Sequence, residues 1–190
     1  MLNPFQRRGD PFMLVVGMTS VKMGDRVVQV GCAHGGRMAA IASKVGLSGQ
    51  ATAIVPDAAS AGRARKAASR AGVLVDVEVA PPTRLPVADS AFDLAVIDDT
   101  GGLVAAMRAQ DRSATVREAF RAVRPGGRAI VIGAAPRGFA ALLGRAQSIP
   151  EFDVPAALQA EGFKSVRKLA EREGLIFTEG IKPREGGRAG

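Results

Sequence analysis

Tryptophan and tyrosine are absent from this chain, so any base-stacking surface for nucleic acid would have to come from its 8 phenylalanines. Several of those sit in strongly apolar strand patterns, where burial competes with stacking. The single cysteine, Cys32, excludes an internal disulfide and every multi-cysteine metal site. One histidine, His34, weakens a zinc centre further. No apolar run reaches the roughly 18 residues that a bilayer span needs, and the N-terminal candidate at residues 11–18 is too short for a secretory core with a cleavage site. The expectation is a cytoplasmic protein with no membrane span.

What is present suits one folded domain. At 190 residues the chain can bury a single core but not two comfortable ones, since domains typically hold about 100–200 residues. Apolar residues make up 47% and charged residues 23%, which fits neither a disordered chain nor a coiled coil. Lys and Arg outnumber Asp and Glu by 26 to 18, for a formal charge of +8. That excess permits attraction to nucleic acid, anionic lipid or an acidic protein without choosing among them.

Residues 1–10 read as a basic arm and 11–21 as an apolar lead-in helix that closes at Met23-Gly24-Asp25. Residues 26–30 are a short β-branched run ending in glycine, and 37–45 are alanine-rich with helical apolar spacing, so the order is strand, tight turn, helix. The unit then recurs in type. Strands are expected at 51–55, 74–79, 92–97 and 129–132, and helices at 58–71 and 113–123, the second stopped by Pro125-Gly126-Gly127. The continuous apolar run at 92–97 predicts a strand covered on both faces. Such alternation argues for a parallel sheet with helices on both sides. The end differs. After helices near 139–146 and 154–160, strands at 164–169 and 175–181 flank a short turn at 171–174 and should pair as an antiparallel hairpin at one sheet edge. Residues 182–190, rich in glycine and charge, read as a disordered tail, leaving one domain at 11–181.

Four segments carry a family resemblance. Asp25-Arg26-Val27-Val28-Gln29-Val30-Gly31-Cys32-Ala33-His34-Gly35 resembles D-x-V-L-D-V-G-C-G-T-G, the first motif of the class I S-adenosylmethionine-dependent methyltransferases. Leu85-Pro86-Val87-Ala88-Asp89-Ser90-Ala91-Phe92-Asp93-Leu94-Ala95-Val96 is similar to the family's L-P-F-x-D-x-x-F-D-x-V, and Arg117-Glu118-Ala119-Phe120-Arg121-Ala122-Val123-Arg124-Pro125-Gly126-Gly127 to its R-x-L-K-P-G-G turn before the fifth strand. Ala160-Glu161-Gly162-Phe163 resembles the A-G-F before the sixth strand. The wording is nearest to the ubiquinone and menaquinone biosynthesis subgroup. The resemblance implies a Rossmann-like α/β fold, with a mostly parallel seven-stranded sheet and an antiparallel C-terminal hairpin. It also implies S-adenosylmethionine as cofactor and methyl transfer to an acceptor that the sequence does not name.

Methyl transfer from a sulfonium needs little acid–base machinery, so positioning is most of the task. By resemblance, the cofactor-contacting positions are Gln29, Gly31, Ala33, His34, Gly35, Val55, Asp57, Pro81 and Asp98. Three of them depart from the family pattern. Gln29 replaces the acid under the methionine amino group, Val55 replaces the ribose-binding acid, and Pro81 replaces the acid on the adenine amino group. Each lost charge-assisted hydrogen bond is worth about 1.5–3 kcal/mol, and together they move micromolar affinity towards millimolar. Asp57 could replace the ribose acid, or merely cap the helix at 58–71. The glycines could admit a ligand to the backbone, or only make a tight turn.

Candidates for catalysis are Asp98 and Asp99, at the carboxyl end of the fourth strand, and His34 within the turn. The alternatives are a solvated strand end for the acids and a capping or surface residue for His34. Cys32 reads as a buried small side chain. The cations at Arg63, Arg65, Lys66 and Arg70, and at Arg117, Arg121 and Arg124, read as solvated outer helix faces. There is no room after the fifth strand for a substrate-covering insertion, which suits a large acceptor, or a protein partner or second copy that supplies the lid. A degenerate scaffolding subunit is the competing reading, and a basic RNA-associated protein the weaker one.

Overall fold

The computed structural model describes residues 12–135 and 152–184. The arm at 1–10, residue 11, the helix expected near 139–146 and residues 185–190 lie outside the described residues. Chain order is α1 Met13–Thr19, β1 Arg26–Val30, α2 Gly36–Val45, β2 Gln50–Val55, α3 Ala58–Ala71, β3 Asp76–Val79, β4 Phe92–Asp99, α4 Ala109–Ala122, β5 Val123–Ala134, α5 Val154–Ala160, β6 Lys164–Arg172 and β7 Leu175–Ile181. The strands form one seven-stranded sheet in the order β3-β2-β1-β4-β5-β7-β6. Pairings from β3 to β5 are parallel, and those of β7 with β5 and β6 antiparallel.

Period-2 sorting of side chains builds the two faces of the sheet. Val28, Val30, Ala95 and Ile97 point to one face, where they pack with Val116 and Ala119 of α4 and Leu158 of α5. Val27, Leu94, Val96, Ile130 and Ile132 point to the other, against Val15 of α1 and Ile41 and Val45 of α2. The apolar reading of the fourth strand holds because β4 lies between β1 and β5, with both faces covered. α3 follows its expected bounds, since Asp57 caps it and Gly72, at φ 65°, ends it in the left-handed region. The C-terminal hairpin turns on Glu173 and Gly174, both at positive φ (54° and 74°), as a two-residue turn between twisted strands requires.

The widest departures from the sequence reading are at α4 and β5, while α1, β3, β4 and β6 differ by two or three residues at an end. α4 starts at Ala109 and ends at Ala122, and β5 begins at once with Val123 rather than at 129. Pro125-Gly126-Gly127 is therefore not a helix terminator but an irregular entry to the strand. The β4–β5 register shifts between Phe92 and Leu94, and Gly126 N–H donates to Lys182 O while Lys182 N–H donates to Gly127 O, each at 2.9 Å. Lys182, read as the first tail residue, is further held by Nζ donating to Phe120 O (2.9 Å) and Val123 O (2.8 Å). Among the described residues no helix is long and apolar enough to cross a membrane.

Candidate functional site

The carboxyl ends of β1, β2 and β4 converge on the turn at 31–36. Gly31 leaves β1 at φ 83°, with its N–H on Ile54 O at 2.9 Å. A Cβ at Gly31 would lie 2.8 Å from the backbone oxygen of Asp98 and 3.1 Å from Leu103 Cδ2, so β4 and the loop after it press on this position. A Cβ at Gly35 (φ 70°) would lie 2.7 Å from Ala67 Cβ and 2.9 Å from Arg63 O, where α3 approaches. One at Gly36 would run into the Phe12 ring. These three glycines are required by packing of protein on protein. Ala33 is half-buried, its Cβ facing Gly101, and His34 is exposed.

Beneath the turn, Gln29 is 1% exposed and donates from Nε2 to Gly31 O at 2.9 Å. Its Oε1 is enclosed and has no donor among the described residues. A buried acceptor without a partner costs about 1–3 kcal/mol, so this atom marks where a donor group is wanted. Val55 is fully buried among Cys32, Ala61 and Ala64, with no polar atom to offer. Pro81 is exposed and Asp57 is engaged as a cap, Oδ1 accepting from Ser60 N–H (2.7 Å) and Oδ2 from Ser60 Oγ (3.0 Å). Ser60 N–H and hydroxyl hold the Asp57 carboxyl below its ordinary range. Burial pushes the Cys32 thiol up, which keeps it protonated and unreactive at neutral pH.

Both acids at the end of β4 are committed to the protein. Asp98 accepts from Thr100 Oγ (2.6 Å) and N–H (3.3 Å), and pairs with the Arg37 guanidinium at 3.3 Å. Arg37 Nη1 also donates to Thr100 Oγ1 at 2.8 Å. Asp99 accepts from Val104 N–H at 2.6 Å and from Ala105 N–H at 3.2 Å, bracing the turn that follows β4. Burial raises its carboxyl above the ordinary value, the two amides pull it back and neighbouring Asp98 adds to the rise. The structure thus brings Gln29, Gly31, Ala33, Asp98 and Asp99 to one edge, while Val55 and Pro81 carry no acid and the exposed Asp57 is engaged as the cap of α3.

Arg37, Thr100 and Leu103 escaped the sequence reading. A signal for Arg37 existed: it is a cation in the first turn of α2, which holds no acid, against the preference of the helix dipole. Arg121 was misread as solvated. Its guanidinium donates to Leu85 O (3.0 Å), Val87 O (2.8 Å) and Glu118 Oε2 (2.8 Å), clamping the 85–89 loop onto α4. Arg117 and Arg124 keep exposed side chains, paired with Glu161 and Asp93. Two cavities, of about 440 and 400 Å³, lie at the opposite edge of the sheet. Arg26, Gln50 and Asp76, the first residues of β1, β2 and β3, line the larger one. That edge carries no part of the glycine turn.

The family described as "Methyltransferase domain" matches residues 27–127, more than half of the chain. A SAM-dependent methyltransferase from Aquifex aeolicus superposes with a TM-score of 0.72 at 18% identity, over 88% of this chain and 87% of that one. A SAM-dependent methyltransferase from Methanosarcina mazei gives 0.67 at 20% identity, over 93% and 100%. A Haloferax volcanii methyltransferase solved in complex with the Trm112 methyltransferase activator gives 0.67 at 16% identity, over 91% and 88%. No curated protein matches in sequence.

Proposed function

From the premise that this chain belongs to the methyltransferase domain family, we propose that it transfers a methyl group from S-adenosylmethionine to an acceptor that it positions but does not deprotonate. Family membership implies the donor, and the residues present fit its two ends unequally. The residues that would hold the methionine end are those of the glycine turn, with Gln29 Oε1 and the Arg37 guanidinium as its polar partners. The nucleoside end would fall to Val55 and Pro81, which supply neither an acid nor a side-chain donor, so affinity should fall below that of a donor site with all three acids. The observation that carries the reading is the enclosed Gln29 acceptor, which a ligand ammonium would satisfy.

When bound, the donor supplies an activated methyl group and leaves as a neutral thioether. The chain's own task is orientation. Asp98 is neutralised by Arg37 and Asp99 braces a turn, so neither serves as a general base. His34 lies exposed on the turn, and no described hydrogen bond ties its ring to a carboxylate that would orient it as a base. An acceptor atom that is already nucleophilic at neutral pH fits this arrangement. The Haloferax protein's complex with an activator supports a protein partner for this chain.

Calorimetric titration with S-adenosylmethionine and S-adenosylhomocysteine tests the proposal, with dissociation constants expected between micromolar and millimolar. Ala33→Phe, at a half-buried position in the turn, should abolish binding while the fold survives. Substituting Gly31 would not serve, because its crowding and positive φ make the variant unfold. No heat at millimolar ligand sinks the enzyme and favours the second reading, a scaffolding subunit, to which Val55 and Pro81 lend support. Co-purifying nucleic acid released steeply by salt would favour an RNA-associated role instead.

A further inference from the structure

Among the described residues, Arg37 spends only Nη1 on the protein. That atom meets Asp98 and Thr100, while Nε and Nη2 have no described acceptor. The side chain is 11% exposed, so the guanidinium is held on its Nη1 side by Asp98 and Thr100 while little of it reaches solvent. It sits at the second position of α2, where the N–H groups of the first turn already favour negative charge. A single buried carboxylate, Asp98, balances the cation, and it is fully occupied by Thr100 and Arg37. What remains is a pre-oriented pair of parallel N–H donors beside helix-end amides. This geometry matches a carboxylate better than a lone ammonium or hydroxyl would.

We propose that Arg37 is the carboxylate receptor of the donor site, held in register by Asp98 and Thr100, and that it recognises the amino-acid end of S-adenosylmethionine in place of the missing nucleoside contacts. The inference rests on the donor reading above. It assigns Asp98 a positioning role: its carboxylate aligns the guanidinium and touches neither donor nor acceptor. It also makes the α-carboxylate, rather than the ribose or adenine, the main determinant of affinity.

Ligand variation tests this without disturbing a buried ion pair. The intact protein is titrated calorimetrically with S-adenosylmethionine, decarboxylated S-adenosylmethionine and 5′-methylthioadenosine. Removing the carboxylate should weaken binding about 10–100-fold, the loss of one charged hydrogen-bonding partner. Arg37→Ala would strand Asp98 and risks unfolding, so the paired variant Arg37→Gln with Asp98→Asn is used, its fold verified by circular dichroism and melting. It should bind S-adenosylmethionine and the decarboxylated form alike. Equal affinity of the unaltered protein for both ligands overturns the Arg37 assignment while leaving the methyltransferase reading in place. A tenfold preference retained by the paired variant overturns it as well. Failure of all three ligands to bind removes both.

Discussion

Replacing Asp99 separates a catalytic acid from a structural brace. Its Oδ1 accepts from Val104 N–H at 2.6 Å and its Oδ2 from Ala105 N–H at 3.2 Å, and the residue is 7% exposed. Asp99→Ala leaves both amides without an acceptor. Each buried orphan costs about 1–3 kcal/mol, and relief of the buried charge offsets part of the sum, so a net loss of about 2–3 kcal/mol is expected. Asp99→Asn keeps one acceptor on Val104 and loses only the ionic part, for about 1 kcal/mol or less. The pH dependence has a definite sign. Burial raises the folded carboxyl above its unfolded value, so across that window the folded protein holds a proton that the unfolded chain has released. Stability contributed by Asp99 is therefore fully present in acid and declines as pH rises through the folded value. The Asn variant lacks this decline. Urea denaturation of the three proteins from pH 4 to pH 8 reads both effects. The reasoning fails if Asn costs more than Ala, or if either variant loses more than about 100-fold in methyl transfer with stability intact, the mark of a general base.

Two further outcomes follow from the packing. Arg121→Met removes the donors on Leu85 O and Val87 O and strands Glu118; with the side chain 28% exposed, about 2 kcal/mol is expected after solvent screening, together with faster proteolysis within residues 85–91. The Glu118 carboxyl is held low by Arg121, so this stability is present above the unfolded carboxyl value and fades in acid as pH falls through the folded one. Gly36→Ala should lower the melting temperature by forcing the Phe12 ring off the turn, and the double variant with Phe12→Ala should recover more than the two single effects predict, a coupling read by a double-mutant cycle.

Local rules made most of the fold legible. The two-sided apolar run of β4, the Asp57 cap and Gly72 stop of α3, and the alternation of strand and helix each report on short stretches of backbone. Turn propensity alone makes Pro125-Gly126-Gly127 a helix stop, whereas these residues belong to β5. Their conformation is decided by Lys182, more than fifty residues away in sequence, whose backbone pairs with Gly126 and Gly127. Arg121 was misread for the same reason: its partners Leu85 and Val87 come from another loop.

The candidate site was legible as a place and not as a set of roles. A glycine at positive φ says that a side chain is excluded, but not by what. At Gly31 the excluder is the Asp98 carbonyl, at Gly35 it is α3, and at Gly36 it is Phe12. Retention of those glycines would therefore be enforced by packing even if the protein bound nothing, and the turn alone cannot argue for a cofactor. A cation at a helix N-terminus is different, because neither the dipole nor the core favours it. Arg37 is stabilised by Asp98 on one side only. Its unspent edge, together with the unpartnered Gln29 oxygen, is the part of this site whose form packing leaves unexplained and a zwitterionic ligand end would explain.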